Sequence, residues 1–349
     1  MELLFVLILT IGLSVVLTWL LRCYAIRQRI LDIPNARSSH TSVIPRGGGI
    51  AIVLSFLFAM IILVLDSLLA WPFAWAMFGA GGGIALIGFF DDHRHLSVRW
   101  RLFGHFAGSI WALFWLGGLP PLEVFGFVMD FGWGGHILTV FYLVWMLNLY
   151  NFMDGIDGIA SVEAICSCLC ACVLYWAAGF DSLIVVPLVL VMAVSGFLYW
   201  NFPPARIFMG DGGSGFLGIT LGLISLQAAW VSSEFFWVWL ILLGVFIVDA
   251  TVTLIRRALR GEKVYEAHRS HAYQFASRQY RRHLPVTLAV VAINLLWLLP
   301  IAACVVFWDL DGALGLILAY VPLVIMALRF HAGGPETRSS HFGDEAGPL

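Results

Sequence analysis

Runs of about 18 to 23 apolar residues recur along the whole of this chain, and nothing else in it limits the fold so tightly. A bilayer core offers no water to backbone N–H and C=O groups. A segment of that length therefore crosses only as a helix or as part of a closed barrel. Strand-length alternation of apolar and polar residues is absent, which selects an all-α fold: a polytopic membrane helical bundle. Composition agrees, since 61% of the 349 residues are hydrophobic and 11% charged, against about a quarter charged in soluble domains. The opening MELLFVLILTIGLSVVLTWLL has no basic n-region and reads as an uncleaved span.

Apolar windows fall near 2–21, 47–65, 71–90, 102–119, 137–150, 159–178, 183–200, 215–232, 235–255, 286–307 and 312–329, about eleven in all. The 19 Lys and Arg residues then all fall on one side: after the first, third, seventh, ninth and last windows. The opposite connections hold Asp66, Glu123, Asp130, Asp181, Glu234, Asp309 and Asp311 and no cation. The positive-inside rule makes the basic side cytoplasmic, with the N-terminus outside and the C-terminus inside. Residues 1–330 read as one integral membrane domain. Residues 331–349 form a polar, Gly/Pro-containing cytoplasmic tail, expected to be disordered. The net charge of −2 gives no ground for a nucleic-acid partner.

The basic side also gathers the unusual polar motifs. GFFDDHRH ends the third window with Asp91 and Asp92 adjacent. NLYNFMDGIDG places Asn148, Asn151, Asp154 and Asp157 where the fifth window ends. FMGDGGSG sets Asp211 in a glycine-rich turn that opens a helix, and HRSHAYQ lies in the Arg- and His-rich connection after the ninth. Each motif alone is compatible with an ordinary helix start or connector. Their shared side is not explained that way.

These residue types suit phosphate handling on a hard metal. Mg²⁺ takes carboxylate and amide oxygens and shares its coordination with substrate phosphates. A glycine turn running into a helix offers N–H groups to an anion, and arginines bind phosphate bidentately. No Gly-Lys-Ser/Thr ending marks a P-loop. Zinc fits poorly, because Cys166, Cys168, Cys170 and Cys172 alternate inside an apolar helix and cannot converge, and His268 and His271 lie three apart without an acid between them. Two dianionic phosphates at 4 Å repel by about 17 kcal/mol at an effective dielectric of 20, and by about 4 in water. Cations are required for any such encounter.

At these residues the chain resembles the polyprenyl-phosphate N-acetylhexosamine-1-phosphate transferases, the glycosyltransferase family 4 membrane enzymes. The likeness rests on Asp91-Asp92, on 148–158, on FMGDGGS at 208–214, on the histidine loop at 268–274 and on RSSHTSVIPRGGG in the first inner loop. It covers about residues 1–330. It implies transfer of a sugar 1-phosphate from a UDP-N-acetyl sugar to a polyprenyl phosphate such as undecaprenyl phosphate. UMP is released, with Mg²⁺ or Mn²⁺ as cofactor, at the cytoplasmic face of a bacterial inner membrane. A homodimer is compatible with it.

Carried over by position, Asp211 and Asn151 would hold the metal. Asp91, Asp92, Asp154 and His271 would form the catalytic group serving the metal, the diphosphate and the attacking lipid phosphate. Asp157 and Phe208 would line the uridine pocket. Asn148, with Arg37, His40 and Arg46 from the first inner loop and His268 and Arg269 from the later one, would contact substrate. Two positions depart from the family pattern: His95 stands where a third acid often follows, and Tyr273 where a further histidine would. That shape resembles the O-antigen-initiating branch more than the peptidoglycan-type enzymes. A lipid phosphate has a second pKa of about 6 and is largely dianionic at pH 7, so one in-line attack needs positioning more than a strong base. An aspartyl-phosphate route through Asp91 or Asp92 is the alternative. The rival class is a transporter or flippase, but that would place ionisable residues near mid-membrane. Glu163 and His105 lie near inner helix ends, and Asp249, about two turns in, reads equally as an interhelical hydrogen bond or as part of the site.

Overall fold

A computed structural model describes residues 2–34, 42–94, 96–263 and 268–335. Its helices are α1 (Glu2–Gln28), α2 (Ile50–Leu65), α3 (Trp71–Ala76), α4 (Gly82–Arg94), α5 (Val98–Leu116), α6 (Gly132–Met153), α7 (Ile159–Ala178), α8 (Val185–Asn201), α9 (Asp211–Val231), α10 (Glu234–Leu242), α11 (Gly244–Leu259), α12 (Ala272–Tyr280), α13 (Leu284–Ile293), α14 (Leu299–Phe307) and α15 (Gly312–Arg329). Single π-helical turns join α3 to α4 and α13 to α14. Two small antiparallel pairs complete it: β1 (Leu31–Asp32) with β2 (Ile44–Pro45), and β3 (Leu122–Val124) with β4 (Phe127–Met129).

Among the described residues, eight helices are long and apolar enough to cross a membrane, or nine if α10 and α11, bent by 71° at Leu243, count as one. Each apolar window of the sequence overlies a helical rod, yet two rods fall outside that set. At 16 residues, α2 rises about 24 Å, short of a 30 Å hydrocarbon core. The other, α5, carries Arg99, Arg101 and His105 in its first turns. The protein is a multi-pass helical membrane protein.

The centre of the bundle is α9, buried along nearly its whole length. Glycine makes that possible, because small residues let helix backbones close on one another in a membrane. A Cβ on Gly218 would lie 2.5 Å from the Met146 carbonyl of α6. At the other extreme, α1 has 22% of its most apolar window buried. Its inward stripe is Val6, Thr10, Ser14, Thr18 and Ala25, and the Ser14 hydroxyl donates to Ala193 O at 2.5 Å.

The sequence reads 235–255 as one rod, and the structure breaks it. Where a helix stops inside a membrane, the freed carbonyls need other donors. Here Tyr320 Oη donates to Leu240 O at 2.8 Å and Ser167 Oγ to Leu242 O at 3.1 Å. The chain also stays packed just past residue 330: Ala332 is buried, Arg256 donates to its carbonyl at 2.6 Å, and Gly333 N–H donates to Ser270 O at 2.6 Å.

Candidate active site

Segments far apart in sequence meet at the N-terminal end of α9. Residues 45–49 run beside 208–209 as a short backbone ladder. Phe208 N–H donates to Pro45 O at 2.8 Å, Gly47 and Gly48 N–H to Phe208 O at 3.1 and 2.9 Å, and Gly49 N–H to Met209 O at 2.9 Å. This fixes Arg46 over the start of α9. From the side comes α4, where a Cβ on Gly88 would strike the Gly212 backbone. Only glycine there lets Asp91 and Asp92, one turn further on, reach Asp211.

The three acids are stitched together by two arginines. Arg46 Nη2 lies 2.8 Å from Asp92 Oδ1 and 2.5 Å from Asp211 Oδ1. Arg101 of α5 places Nη1 2.7 Å from Asp91 Oδ2 and 3.8 Å from Asp211 Oδ2. Asp91 Oδ1 accepts the Leu96 N–H at 2.6 Å, and the side chains of Asp91 and Asn151 both hydrogen-bond Asp211. The Asp92 side chain is 2% exposed and that of Asp91 8%. Two like charges at 4 Å in such surroundings repel by about 4 kcal/mol, so the guanidiniums are what hold this cluster closed. For Arg46, burial favours the neutral form, but Asp211 and Asp92 outweigh it and raise its affinity for the proton.

Asn148 and Asn151 stand three residues apart near the end of α6, hence on one face. Asn151 reaches Asp211, while Asn148 Nδ2 donates to Val144 O at 2.7 Å and lies 3.4 Å from His105 Nδ1. Asp154 follows directly after α6. Burial pushes its carboxyl well above the usual range; Arg46 opposes this, and Asp211 and Asp92 add to it. It shares the field of the cluster.

The glycine turn does not serve as an open anion nest. Asp211 N–H donates to Asp92 Oδ1 at 3.2 Å, the Gly212 N–H is also taken by Asp92, and those of Gly213 and Ser214 go to Gly210 O. A neighbouring carboxylate has filled the place expected for phosphate. The glycines answer to packing: Gly210 has φ +79°, and a Cβ on Gly213 would lie 2.6 Å from Gly49 Cα.

The histidine loop lies against the asparagine–aspartate turn. His271 caps the start of α12 and is buried. Its ring is 4.9 Å from that of His268, 5.7 Å from Tyr273 and 6.3 Å from Phe152. Asp249 Oδ1 lies 3.4 Å from His271 Nδ1. His268 is turned on its own loop, with Nδ1 2.9 Å from Ser270 Oγ. Burial, then His271 and Arg257, lower its pKa to about 3. That shift favours the neutral ring near neutral pH. Arg269 gives its carbonyl to Arg278 at 3.2 Å.

Asp157 and Phe208, expected to share a uridine pocket, face different surroundings. Asp157 Oδ2 accepts the Ala205 N–H at 3.0 Å and Oδ1 lies 3.1 Å from His283 Nδ1. Its wall belongs to a cavity of about 500 Å³ that also takes in Pro203, Arg278, Arg281 and Arg282 but not Phe208. Phe208 is half-buried within the ladder to 45–49. Arg37 and His40 lie outside the described residues, as does His95.

Sequence reasoning missed Arg101, whose position among other inner-side arginines carried no signal, and Tyr273, read only as a departure. Oxygen donors alone make up the Asp91–Asp92–Asp211–Asn151 group, which suits a hard divalent cation by type. Among the described residues no three or more His, Cys, Asp or Glu stand as a ready-made metal cage; here Asp92 and Asp211 turn oxygens to Arg46.

The sequence profile described as "Glycosyl transferase family 4" matches residues 74–229. That interval holds Asp91, Asp92, the 148–158 motif and Asp211. A phospho-N-acetylmuramoyl-pentapeptide-transferase of Shouchella clausii is 30% identical over 293 residues, 77% of this chain and 87% of that protein. The chain belongs to glycosyl transferase family 4. Two further relatives of this family 4 protein have related names. A probable undecaprenyl-phosphate N-acetylglucosaminyl 1-phosphate transferase of Bacillus subtilis is 27% identical over 90% of this chain and 87% of its own length. An undecaprenyl-phosphate alpha-N-acetylglucosaminyl 1-phosphate transferase of Thermotoga maritima is 31% identical over 61% of this chain and 62% of its own. The Arg46 loop and the histidine loop lie outside the profile's interval, yet the structure joins both to the residues inside it.

Proposed function

We propose that this protein transfers an N-acetylhexosamine 1-phosphate from a UDP-sugar to a polyprenyl phosphate and releases UMP. The observation that carries the reading is the contact of Asp91, Asp92 and Asp211 with Arg46, Arg101 and Asn151, drawn from four helices and a loop onto one spot. Family membership and the relatives' names support the same class of reaction. The lipid phosphate oxygen attacks the sugar-bearing phosphorus as the bond to the UMP oxygen breaks. Arg46 and Arg101 would steady phosphate charge; Asp154 shares the field of that cluster, and His271 lies by Phe152 in the adjoining turn. Mg²⁺ would be held by Asp211 and Asn151 with Asp91 and Asp92, and would supply charge neutralisation between the two phosphates.

All 19 Lys and Arg residues fall on the side of this cluster in an eleven-span arrangement. That supports a cytoplasmic active site in a bacterial inner membrane, N-terminus outside and C-terminus inside. The HRSHAYQ loop favours a sugar of the kind that starts O-antigen-type lipid-linked glycans. The test is purified protein with Mg²⁺, a short polyprenyl phosphate and a panel of UDP-N-acetyl sugars that includes UDP-N-acetylmuramoyl-pentapeptide. UMP release with a matching lipid-linked sugar is the expected result. Turnover of the pentapeptide substrate alone moves the assignment to the peptidoglycan-type reaction, and no UMP from any donor overturns the transferase reading.

A further inference from the structure

Asp249 is a carboxylate well inside an apolar rod, and none of the roles above uses it. It sits six residues beyond the break at Leu243, on the half-rod α11, and is 6% exposed. Its two oxygens meet one target, the start of α12. Ala272 N–H donates to Oδ1 at 2.9 Å and Tyr273 N–H to Oδ2 at 3.0 Å. Thr253 Oγ1, one turn along α11, donates to Oδ1 at 3.2 Å. His271 Nδ1 lies 3.4 Å from the same Oδ1, a contact without hydrogen-bond geometry.

The first N–H groups of a helix have no partner within it, and a nearby side chain usually caps them. Here the cap comes from another helix, with a carboxyl group at the positive end of α12. A carboxylate held by two fixed amides cannot rotate, so its remaining lone pairs have set directions. The His271 ring is packed on its other sides by His268, Tyr273 and Phe152.

We infer that Asp249 is a positioning residue: it fixes the start of α12 and, with it, the placement of His271, the residue that opens that helix, beside the Asn151–Asp154 turn. This rests on the transferase reading for its kinetic arm alone. Asp249→Asn keeps the shape but turns one amide N–H group against another donor, because a carboxamide has one oxygen. Three variants are compared with wild type: Asp249→Asn, His271→Ala and the pair together.

In the UMP-release assay Asp249→Asn is expected to lower kcat by about tenfold or more while KM for the UDP-sugar moves less than about twofold, which separates positioning from binding. The double variant is expected to be no slower than His271→Ala alone, since Asp249 acts by placing that ring. Losses that multiply, or an Asp249→Asn enzyme with wild-type kcat, overturn the inference. If wild type turns over no donor, the transferase reading has failed, and hydrogen–deuterium exchange decides the placement. Exchange at Ala272 and Tyr273 is expected to quicken about tenfold or more in Asp249→Asn while α6 and α9 stay protected; unchanged exchange there overturns the inference, as does loss of protection throughout the chain.

Discussion

The Tyr273 hydroxyl donates to the Phe152 carbonyl at 3.0 Å, which fastens the histidine loop to the turn between Asn151 and Asp154. Gly155 leaves room for that hydroxyl, since a Cβ there would run into Tyr273 Oη. Tyr273→Phe is therefore expected to cost about 1 kcal/mol of stability for one lost hydrogen bond. It should also lower kcat severalfold through a loosened His271. Gly155→Ala should act in the same direction and more strongly. Denaturation in detergent and steady-state UMP release check both, and an unaltered kcat in Tyr273→Phe would break the link between the two motifs.

Arg46 holds Asp92 and Asp211 with one nitrogen. Removing one partner of a fully buried ion pair costs about 3–5 kcal/mol; with the Arg46 side chain 32% exposed, the loss here is smaller. Arg46→Ala is expected to lose turnover by two orders of magnitude or more, and Arg46→Lys to recover part of it as a simple point charge. An Arg46→Ala protein that works at the wild-type rate would remove this arginine from the site.

Asp211 touches both arginines, Asp91 and Asn151. Asp211→Ala is expected to abolish Mg²⁺-dependent turnover with the fold intact by size-exclusion profile and helical circular dichroism. Asp91→Asn should lower kcat without any sugar-phosphate adduct on the protein, as mass spectrometry of quenched reactions can read. A trapped adduct would replace the one-step transfer with a covalent route.

His268 gives a pH dependence with a definite sign. Its pKa falls from the ordinary 6.5 to about 3 in the folded protein, so between those values the unfolded chain binds the extra proton. Stability from this group is full above about pH 6.5 and is lost progressively as pH falls toward 3. The melting temperature of His268→Gln is expected to fall less between pH 7 and pH 5 than that of wild type. Parallel declines would mean that the ring is protonated in the native state.

Much of this could be read from sequence because membrane physics is blunt. Apolar length marks each rod, and clustered acids stand out where charge is scarce. Asp91, Asp92, Asn151 and Asp211 declared themselves in that way, and they do converge. What escaped was pairing. Arg101 looks like any other inner-side arginine until the approach of α5 sets it on the acids, and Arg46, read as a substrate contact, is held on Asp92 and Asp211 by the ladder at 45–49. The glycine turn at 210–215 suggested an open anion site because sequence shows the donors and not the acceptor, Asp92, that claims them. The break at Leu243 was hidden for a related reason: the donors that satisfy it, Ser167 and Tyr320, belong to distant helices.

The way α1 is attached has a consequence for how such a protein tolerates change. Its greasiest side chains look outward into lipid, and the stripe that grips α8 is made of hydroxyls and short methyl-bearing residues. A leucine trimmed to alanine on the outer flank gives up contacts with fluid chains that close over the gap. Ser14 enlarged to leucine would lever the helix off its neighbour, because Gly196 leaves no space opposite. In this solvent, volume governs adhesion, and oiliness counts for little.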